Sequence, residues 1–168
     1  MTESRTLPKF VTIGVYGLKE SAFFEALQRA SVDTFCDIRW RRGVRGSEYA
    51  FVNSKRLQKR LAELGIRYLH LRDVAPSPML RKRQAEVDKA EGTAKRKRTA
   101  LGDTFISGYQ QECLSAFDSR KFVEKLGTEP RIVALFCVER EPAACHRSLL
   151  AARLQQDLGV EVVHLLPE

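Results

Sequence analysis

The chain of 168 residues lacks the short motifs that mark two common classes of nucleotide enzyme. It has no G-x-x-x-x-G-K-[ST] phosphate loop and no G-x-G-x-x-G fingerprint, which argues against an ordinary ATPase and a dinucleotide enzyme. It has no run of about 18 apolar residues, and no apolar run follows the polar segment 1–9 as a signal peptide requires. We therefore expect a cytoplasmic protein with no membrane contact.

The chain has four cysteines, and none of them lies close enough to another to form a C-x-x-C motif. They occupy positions 36, 113, 137 and 145, so free thiols are expected in a reducing compartment. Cys36, Cys137, Cys145 and His146 could converge on a metal ion, but their spacing matches no standard zinc pattern. Cys36 and Cys137 also fall inside predicted strands. We therefore predict no metal and no other cofactor.

Acidic residues are outnumbered, with 21 Asp and Glu against 29 Lys and Arg and a net charge of +8. This balance favours anionic partners, which we predict to be nucleic acid (DNA more than RNA) or a phosphorylated small molecule. The alternative is a basic surface that only aids solubility. Apolar residues make up 43% of the chain, which is enough for one core.

Short apolar runs rich in β-forming residues predict strands at 10–16, 32–38, 66–71, 132–138 and 160–166. Helices are predicted at 21–30 with Ser21 as N-cap, from Asn53 or Ser54 to Leu64, and at 105–117, 121–126 and 145–158. The alternation predicts a single α/β domain over 1–168, with a mostly parallel sheet flanked by helices. Its most apolar strand, 132–138, is predicted to be central. The basic segment 79–102 is predicted to be an insertion, either a solvated helix or a mobile loop.

Open parallel sheets bind ligands beyond the carboxyl ends of their strands. Tyr16, Asp37 and Glu139 are predicted to lie there, because each stands at the end of a predicted strand. The segment 145–147 (Cys-His-Arg) follows at a helix start, where free backbone N–H groups and the helix dipole favour an anion or a thiolate.

Each of these side chains has a structural alternative. Cys145 is either a nucleophile or a small buried residue, and His146 either transfers protons or forms a local hydrogen bond. Arg147 either clamps an anion or forms a structural ion pair with Asp37 or Glu139. Asp37, a carboxylate inside an apolar strand, is either catalytic or paired with a nearby arginine.

Four arginines surround the only tryptophan in the segment 39–45 (Arg-Trp-Arg-Arg-Gly-Val-Arg), which directly follows Asp37. Arginine and aromatic side chains together suit phosphate contacts and base stacking. The predicted catalytic residues are Asp37, Glu139, Cys145 and His146. The predicted substrate-binding residues are Tyr16, Arg39, Trp40, Arg41, Arg42, Arg45, Tyr49 and Arg147.

The chain resembles the domain-of-unknown-function 488 family along most of its length. The segments that carry the resemblance are Thr12-Ile13-Gly14, Asp37-Ile38-Arg39, 65–71 (GIRYLHL), 73–76 (DVAP), 137–147 (CVEREPAACHR) and Val163-His164. The resemblance implies a compact α/β fold and one site that contains Asp37, Arg39, Glu139, Cys145, His146 and Arg147, but it implies no defined activity. Many relatives carry a histidine after the first Ile-Gly, where this chain has Val15 and Tyr16.

Three functional hypotheses follow. The first is an enzyme that acts on nucleic acid or a nucleotide, by base excision or another hydrolysis, with Asp37 or Glu139 as base or electrostatic stabiliser. The second is a cysteine-dependent enzyme that acts on a small anionic substrate with Cys145 as nucleophile. The third is a nucleic-acid-binding module without catalysis. The sequence predicts no oligomeric state.

Overall fold

A computed structural model describes residues 6–94 and 97–167 of the chain. The basic cluster 95–98 of the predicted insertion lies partly outside the described residues, since Lys95 and Arg96 fall in the gap. The five strands of the structure are β1 (Lys9–Ile13), β2 (Thr34–Asp37), β3 (Arg67–His70), β4 (Ile132–Phe136) and β5 (Val162–Leu165). They form one parallel sheet in the order β3-β2-β4-β1-β5. The predicted α/β fold with a parallel sheet and a central fourth strand is therefore confirmed.

Six α-helices occur in the described part of the chain: α1 (Glu20–Arg29), α2 (Ser54–Glu63), α3 (Pro78–Ala90), α4 (Asp103–Tyr109), α5 (Ser119–Leu126) and α6 (His146–Leu158). A π-helical segment, Gln110–Leu114, continues α4. None of the helices in the described ranges has the length and apolar character needed to cross a membrane.

The inner strands are buried on both faces. Every residue of β2 is buried, and so is every residue of β1 and β4 after the first. Burial of successive residues, which point to opposite faces, means that both faces of the sheet are covered. The outer strands β3 and β5 are more exposed, as expected for sheet edges.

The neighbouring strands β2 and β4 connect to opposite edges of the sheet: β2 leads to β3 at one edge, and β4 leads to β5 at the other. The chain runs from β1 to β2 and on to the edge strand β3, and then returns to β4, which lies between β2 and β1, and to β5 at the opposite edge. The carboxyl ends of β2 and β4 lie side by side, with Asp37 opposite Phe136. Ligands of open α/β sheets bind at such a switch point, and here the ends of the two strands that carry or precede the predicted residues Asp37 and Glu139 lie next to each other.

Two predicted helix details differ in the structure. Ser21 lies inside α1, whose N-cap is Lys19 without a side-chain cap, so the predicted Ser21 cap is wrong. The predicted mobile alternative for 79–102 is also wrong for its first half, because α3 spans Pro78–Ala90. The hydroxyl of Ser77 caps α3 by accepting from the backbone N–H of Leu80 at 3.3 Å.

Candidate functional site

A cavity of about 620 Å³ opens at the carboxyl ends of β2 and β4. Eight predicted site residues line it: Tyr16, Arg39, Trp40, Arg41, Arg45, Glu139, Cys145 and His146. Four others do not line it: Asp37, Arg42, Tyr49 and Arg147. The volume is in the range of small-molecule and cofactor sites.

Part of the cavity wall is formed by two cysteines and a histidine. Cys137, Cys145 and His146 each line the cavity, and one ligand-type atom from each lies within 4.8 Å of the other two. The Sγ of Cys145 is 3.7 Å from the Nδ1 of His146. All three residues are buried, so this Cys-Cys-His cluster is shielded from bulk water.

The backbone explains why these three side chains meet. β4 ends at Phe136, so Cys137 stands just beyond the strand rather than inside it. A short turn then leads to Cys145, the N-cap of α6, whose Sγ accepts from the backbone N–H of Arg147 at 3.5 Å. The strand end and the helix start are thus brought together at one edge of the sheet.

A carbonyl group fixes the ring of His146. Its Nε2 lies 2.7 Å from the carbonyl oxygen of Ile38, just after β2. A carbonyl can only accept, so Nε2 carries the hydrogen, and in the neutral ring Nδ1 keeps its lone pair on the side of Cys145. The ring also packs against Tyr109 with a centroid separation of 5.4 Å.

Burial and mutual contact alter the acidity of this cluster. Burial raises the pKa of the Cys137 thiol well above its ordinary value, and the adjacent Cys145 raises it further. Burial alone lowers the pKa of His146, but Cys137, Glu139 and the Ile38 carbonyl outweigh that effect and leave the pKa raised. Without a ligand, Cys137 is therefore held as a neutral thiol.

Asp37 is fully buried and saturated with hydrogen bonds. Its Oδ1 accepts from the Nε of Arg39 at 2.8 Å, and its Oδ2 accepts from Arg39 Nη2 at 2.8 Å and from the Tyr68 hydroxyl at 2.7 Å. A carboxylate with its oxygens engaged in this way is not available to a substrate. The alternative of a structural ion pair with Arg39 fits this geometry, and the catalytic role predicted for Asp37 does not.

Arg147 is also structural. It is fully buried, and its Nη1 and Nη2 donate to the backbone carbonyls of Glu139 at 2.6 Å and Arg140 at 3.1 Å. This geometry does not support the predicted anion clamp, because the guanidinium group donates to backbone carbonyls. The alternative of an ion pair with Asp37 or Glu139 is wrong, since Asp37 pairs with Arg39 and Glu139 pairs with Arg98. Gly14 permits this arrangement, since a Cβ there would lie 1.9 Å from the Glu139 carbonyl oxygen.

Tyr49 and Arg42 support the site from outside it. The Tyr49 hydroxyl accepts from the backbone N–H of Gly17 at 2.9 Å, and its buried ring packs 5.1 Å from that of Tyr16. Tyr49 therefore positions Tyr16 and, contrary to the substrate-binding role predicted for it, does not line the cavity. Arg42 lies beside the hydroxyl of Tyr68 rather than in the cavity wall.

The loop 39–45 has a defined backbone. The Oδ1 of Asn53 accepts from the backbone N–H of Val44 at 2.7 Å, and the backbone N–H of Ser54 donates to the carbonyl of Arg42 at 3.0 Å. The start of α2 thus holds the loop, while the side chains of Arg41 and Arg45 line the cavity from exposed positions.

The basic insertion supplies the opposite wall of the cavity, which the sequence did not predict. Its lining residues are Arg81, Gln84, Ala85, Asp88, Arg98 and Leu101. Arg98 bonds to Asp88 Oδ2 at 2.8 Å and to Glu139 Oε1 at 2.9 Å, and all three side chains are nearly buried. The sequence signal for this wall was the four-residue spacing of Gln84 and Asp88, which brings two polar side chains together on one face of a helix. In the structure Gln84 Nε2 donates to Asp88 Oδ1 at 2.9 Å.

The comparisons with known proteins give one match. The model of the family described as domain of unknown function DUF488 matches residues 19–154, which is more than half of the chain. No curated protein and no solved structure matches it. The matched range contains the Cys-Cys-His cluster, the loop 39–45 and the insertion.

Proposed function

The chain belongs to the DUF488 family, and we propose that it is an enzyme that acts on a nucleotide or on nucleic acid bound in the cavity. Phosphate groups are bound by the arginines that line the cavity, and a base stacks on Trp40. Hydrolysis then takes place beside the Cys-Cys-His cluster. The protein works in the cytoplasm under this proposal, and DNA is preferred to RNA.

One observation carries the proposal. Arg39 lines the cavity at 4% exposure, and its Nη1 has no hydrogen-bond partner in the described part of the chain. A buried guanidinium nitrogen without a partner is costly, and an anionic ligand that reaches it from the cavity after a shift of the neighbouring side chains would form a charge-assisted hydrogen bond with it. Arg41, Arg45 and Arg81 line the same cavity and add positive charge around that position.

Trp40 supports the stacking part of the proposal. It is half-buried and lines the cavity, and the Arg72 guanidinium carbon lies 4.0 Å from the centre of its ring. This cation–π contact occupies one face of the indole ring and holds the ring in place. The other face can receive a base, an interaction worth about 1–3 kcal/mol.

The hydrolytic part of the proposal depends on Glu139 and His146, two of the four predicted catalytic residues. Asp37 cannot serve, because Arg39 and Tyr68 occupy its oxygens. Glu139 is the predicted carboxylate that lines the cavity, and its Oε1 is bound to Arg98. Under the proposal, Glu139 and His146, which both line the cavity, activate a water molecule for attack on a bound ligand.

A second candidate is a cysteine-dependent enzyme with a small anionic substrate. It is favoured by the 3.7 Å approach of Cys145 Sγ to His146 Nδ1, because a neutral imidazole can take the proton of a nucleophilic thiol. Cys145→Ser would abolish this activity completely.

The experiment that tests the proposal compares ligands and variants. Nucleotides, short single-stranded DNA and RNA are incubated with the protein at low salt and scored for retention and for product by mass spectrometry. We expect turnover of at least one ligand, and weaker binding to Arg41→Gln/Arg45→Gln. A matched control, Arg120→Gln/Arg131→Gln, removes two exposed arginines outside the cavity lining and should bind like wild type.

The outcomes separate the hypotheses. Salt-sensitive binding without any turnover would favour a binding module over an enzyme. Absence of both retention and turnover at low salt would contradict the proposal. Turnover that is lost on thiol alkylation and unaffected in Arg41→Gln/Arg45→Gln would favour the cysteine-dependent enzyme.

A further inference from the structure

We propose that Cys137, Cys145 and His146 bind a zinc ion through two thiolates and one imidazole, with the fourth coordination position open to the cavity. This inference goes beyond the proposed function, because it concerns a metal site rather than the ligand that the arginines recognise. It replaces the sequence prediction that the chain needs no metal.

The distances suit a tetrahedral ion. Zinc bonds of about 2.3 Å to sulfur and 2.0–2.1 Å to nitrogen place a sulfur and a nitrogen ligand about 3.6 Å apart at a tetrahedral angle. The observed distance from Cys145 Sγ to His146 Nδ1 is 3.7 Å. The third ligand atom, from Cys137, lies within 4.8 Å of both. Only small side-chain adjustments are needed to bring all three onto one ion.

The histidine already has the orientation of a metal ligand. Ligating histidines donate their second ring N–H to a carbonyl or carboxylate, which fixes the tautomer and directs the other nitrogen at the metal. The bond from His146 Nε2 to the Ile38 carbonyl at 2.7 Å provides this support. Nδ1 is therefore the metal-binding nitrogen.

The charge balance suits a buried site. Binding removes one proton from each of the two thiols and releases both to solvent. The two thiolates then neutralise the divalent ion, and the imidazole stays neutral. A neutral site avoids most of the cost of burying an unpaired ion. The backbone N–H of Arg147 donates to Cys145 Sγ at 3.5 Å and holds this sulfur in position.

The number and type of ligands select the metal and its role. Sulfur and imidazole ligands in a tetrahedral arrangement favour zinc over hard ions such as magnesium. Structural zinc sites use four protein ligands, whereas catalytic sites use three and leave one position for water or substrate. All three ligands line the cavity. A metal-bound water there would serve as the hydrolytic nucleophile, a role that rests on the proposed function.

Cobalt substitution tests the metal site directly. The reduced full-length chain is stripped with a chelator, freed of it, and titrated with Co²⁺. We expect the visible bands of tetrahedral cobalt together with a thiolate-to-cobalt charge-transfer band, saturating at one ion per chain. Added Zn²⁺ should abolish these bands, because zinc binds such ligands more tightly than cobalt does. X-ray absorption of the zinc form should find two sulfur neighbours.

Substitutions locate the site. Cys137→Ser, Cys145→Ser and His146→Asn should each weaken cobalt binding more than about 100-fold, since even the loss of a group that only orients a ligand costs 10–100-fold. Cys113→Ser is the matched control, because Cys113 lies outside the cluster and its Sγ contacts the Ala75 carbonyl; it should bind cobalt like wild type. Circular dichroism checks that each variant folds.

Two results would overturn the proposal. One is a folded, fully reduced wild-type chain that develops no cobalt spectrum. This result can be interpreted without any variant. The other is a spectrum that survives all three substitutions. Nucleotide binding, measured on the same samples, is a separate readout, because Arg41→Gln/Arg45→Gln should weaken it and keep the cobalt spectrum.

Discussion

Arg98 of the basic insertion donates to Glu139 at 2.9 Å, and this bond joins the insertion to the carboxyl end of the central strand. The same guanidinium group binds Asp88 on α3 at 2.8 Å and the carbonyl of Ala144 at 3.1 Å. The basic charge of this part of the insertion is therefore used internally, as one wall of the cavity.

Arg98→Ala should lower the free energy of unfolding by about 3–5 kcal/mol, because it removes an ion-pair partner from two nearly buried carboxylates. Denaturant unfolding measures the loss. Arg83→Ala is the control, since Arg83 is exposed and its one hydrogen bond in the described residues is a long contact to Met79 Sδ. Equal stability of the two variants would show that Arg98 does not join the insertion to the sheet.

Asp37→Asn should reduce stability without removing activity from the molecules that remain folded. The change leaves the Arg39 guanidinium buried beside a neutral amide, at a cost of about 3–5 kcal/mol. Asp37 does not line the cavity, so turnover per folded molecule should stay within a few-fold of wild type. A stable variant that has lost turnover would restore the catalytic role and contradict the structural one.

Gly14→Ala should destabilise the fold by about 1–3 kcal/mol, the usual cost of overpacking. The added Cβ would meet the Glu139 carbonyl oxygen at 1.9 Å and Arg147 Nη1 at 3.2 Å. Thermal unfolding compares this variant with Gly43→Ala, where the nearest atom, Asn53 Oδ1, would be at an ordinary 3.8 Å. A Gly14→Ala chain as stable as Gly43→Ala would be incompatible with the close approach described here.

The Tyr68 hydroxyl should lose its proton at a higher pH than an ordinary tyrosine. Burial, followed by the nearby Asp37 carboxylate, raises its pKa from 10.0 to about 12. A folded pKa above the unfolded value means that its contribution to stability is complete below pH 10 and is lost as the pH rises towards 12. The stability difference between wild type and Tyr68→Phe should therefore shrink over this interval. A difference that stays constant from pH 9 to pH 12, measured by unfolding at each pH, would refute the raised pKa.

The fold was largely predictable because its signals are local. The apolar runs at β1, β2 and β4 identify buried parallel strands, and the last helix ends at Leu158 as predicted, with Gly159 after it in the left-handed conformation. The ends of elements were less predictable, since hydrogen bonding rather than composition sets them. Cys137 shows the consequence: an apolar run to position 138 placed it inside a strand, whereas β4 ends at Phe136.

The site was predictable in position but not in the roles of its residues. The carboxyl edge of the sheet followed from the alternation of strands and helices, and eight of the predicted side chains do line the cavity there. The spacing of residues along the chain does not show which way a charged side chain turns. Asp37 and Arg147 turn to partners inside the fold, whereas Arg98, from a segment with few apolar residues, becomes part of the site.

Trp40 allows the most direct test of the central claim, which is that the cavity binds a phosphorylated ligand. It is the only tryptophan of the chain and it lines the cavity, so its fluorescence reports on that cavity alone. Titration with adenosine monophosphate and with short single-stranded DNA at several salt concentrations should give a saturable change that weakens as salt rises. In Arg41→Gln/Arg45→Gln the slope of log affinity against log salt for DNA should fall by about two, one for each phosphate contact removed. A folded wild-type chain whose Trp40 fluorescence is unchanged by either ligand at low salt would contradict the account.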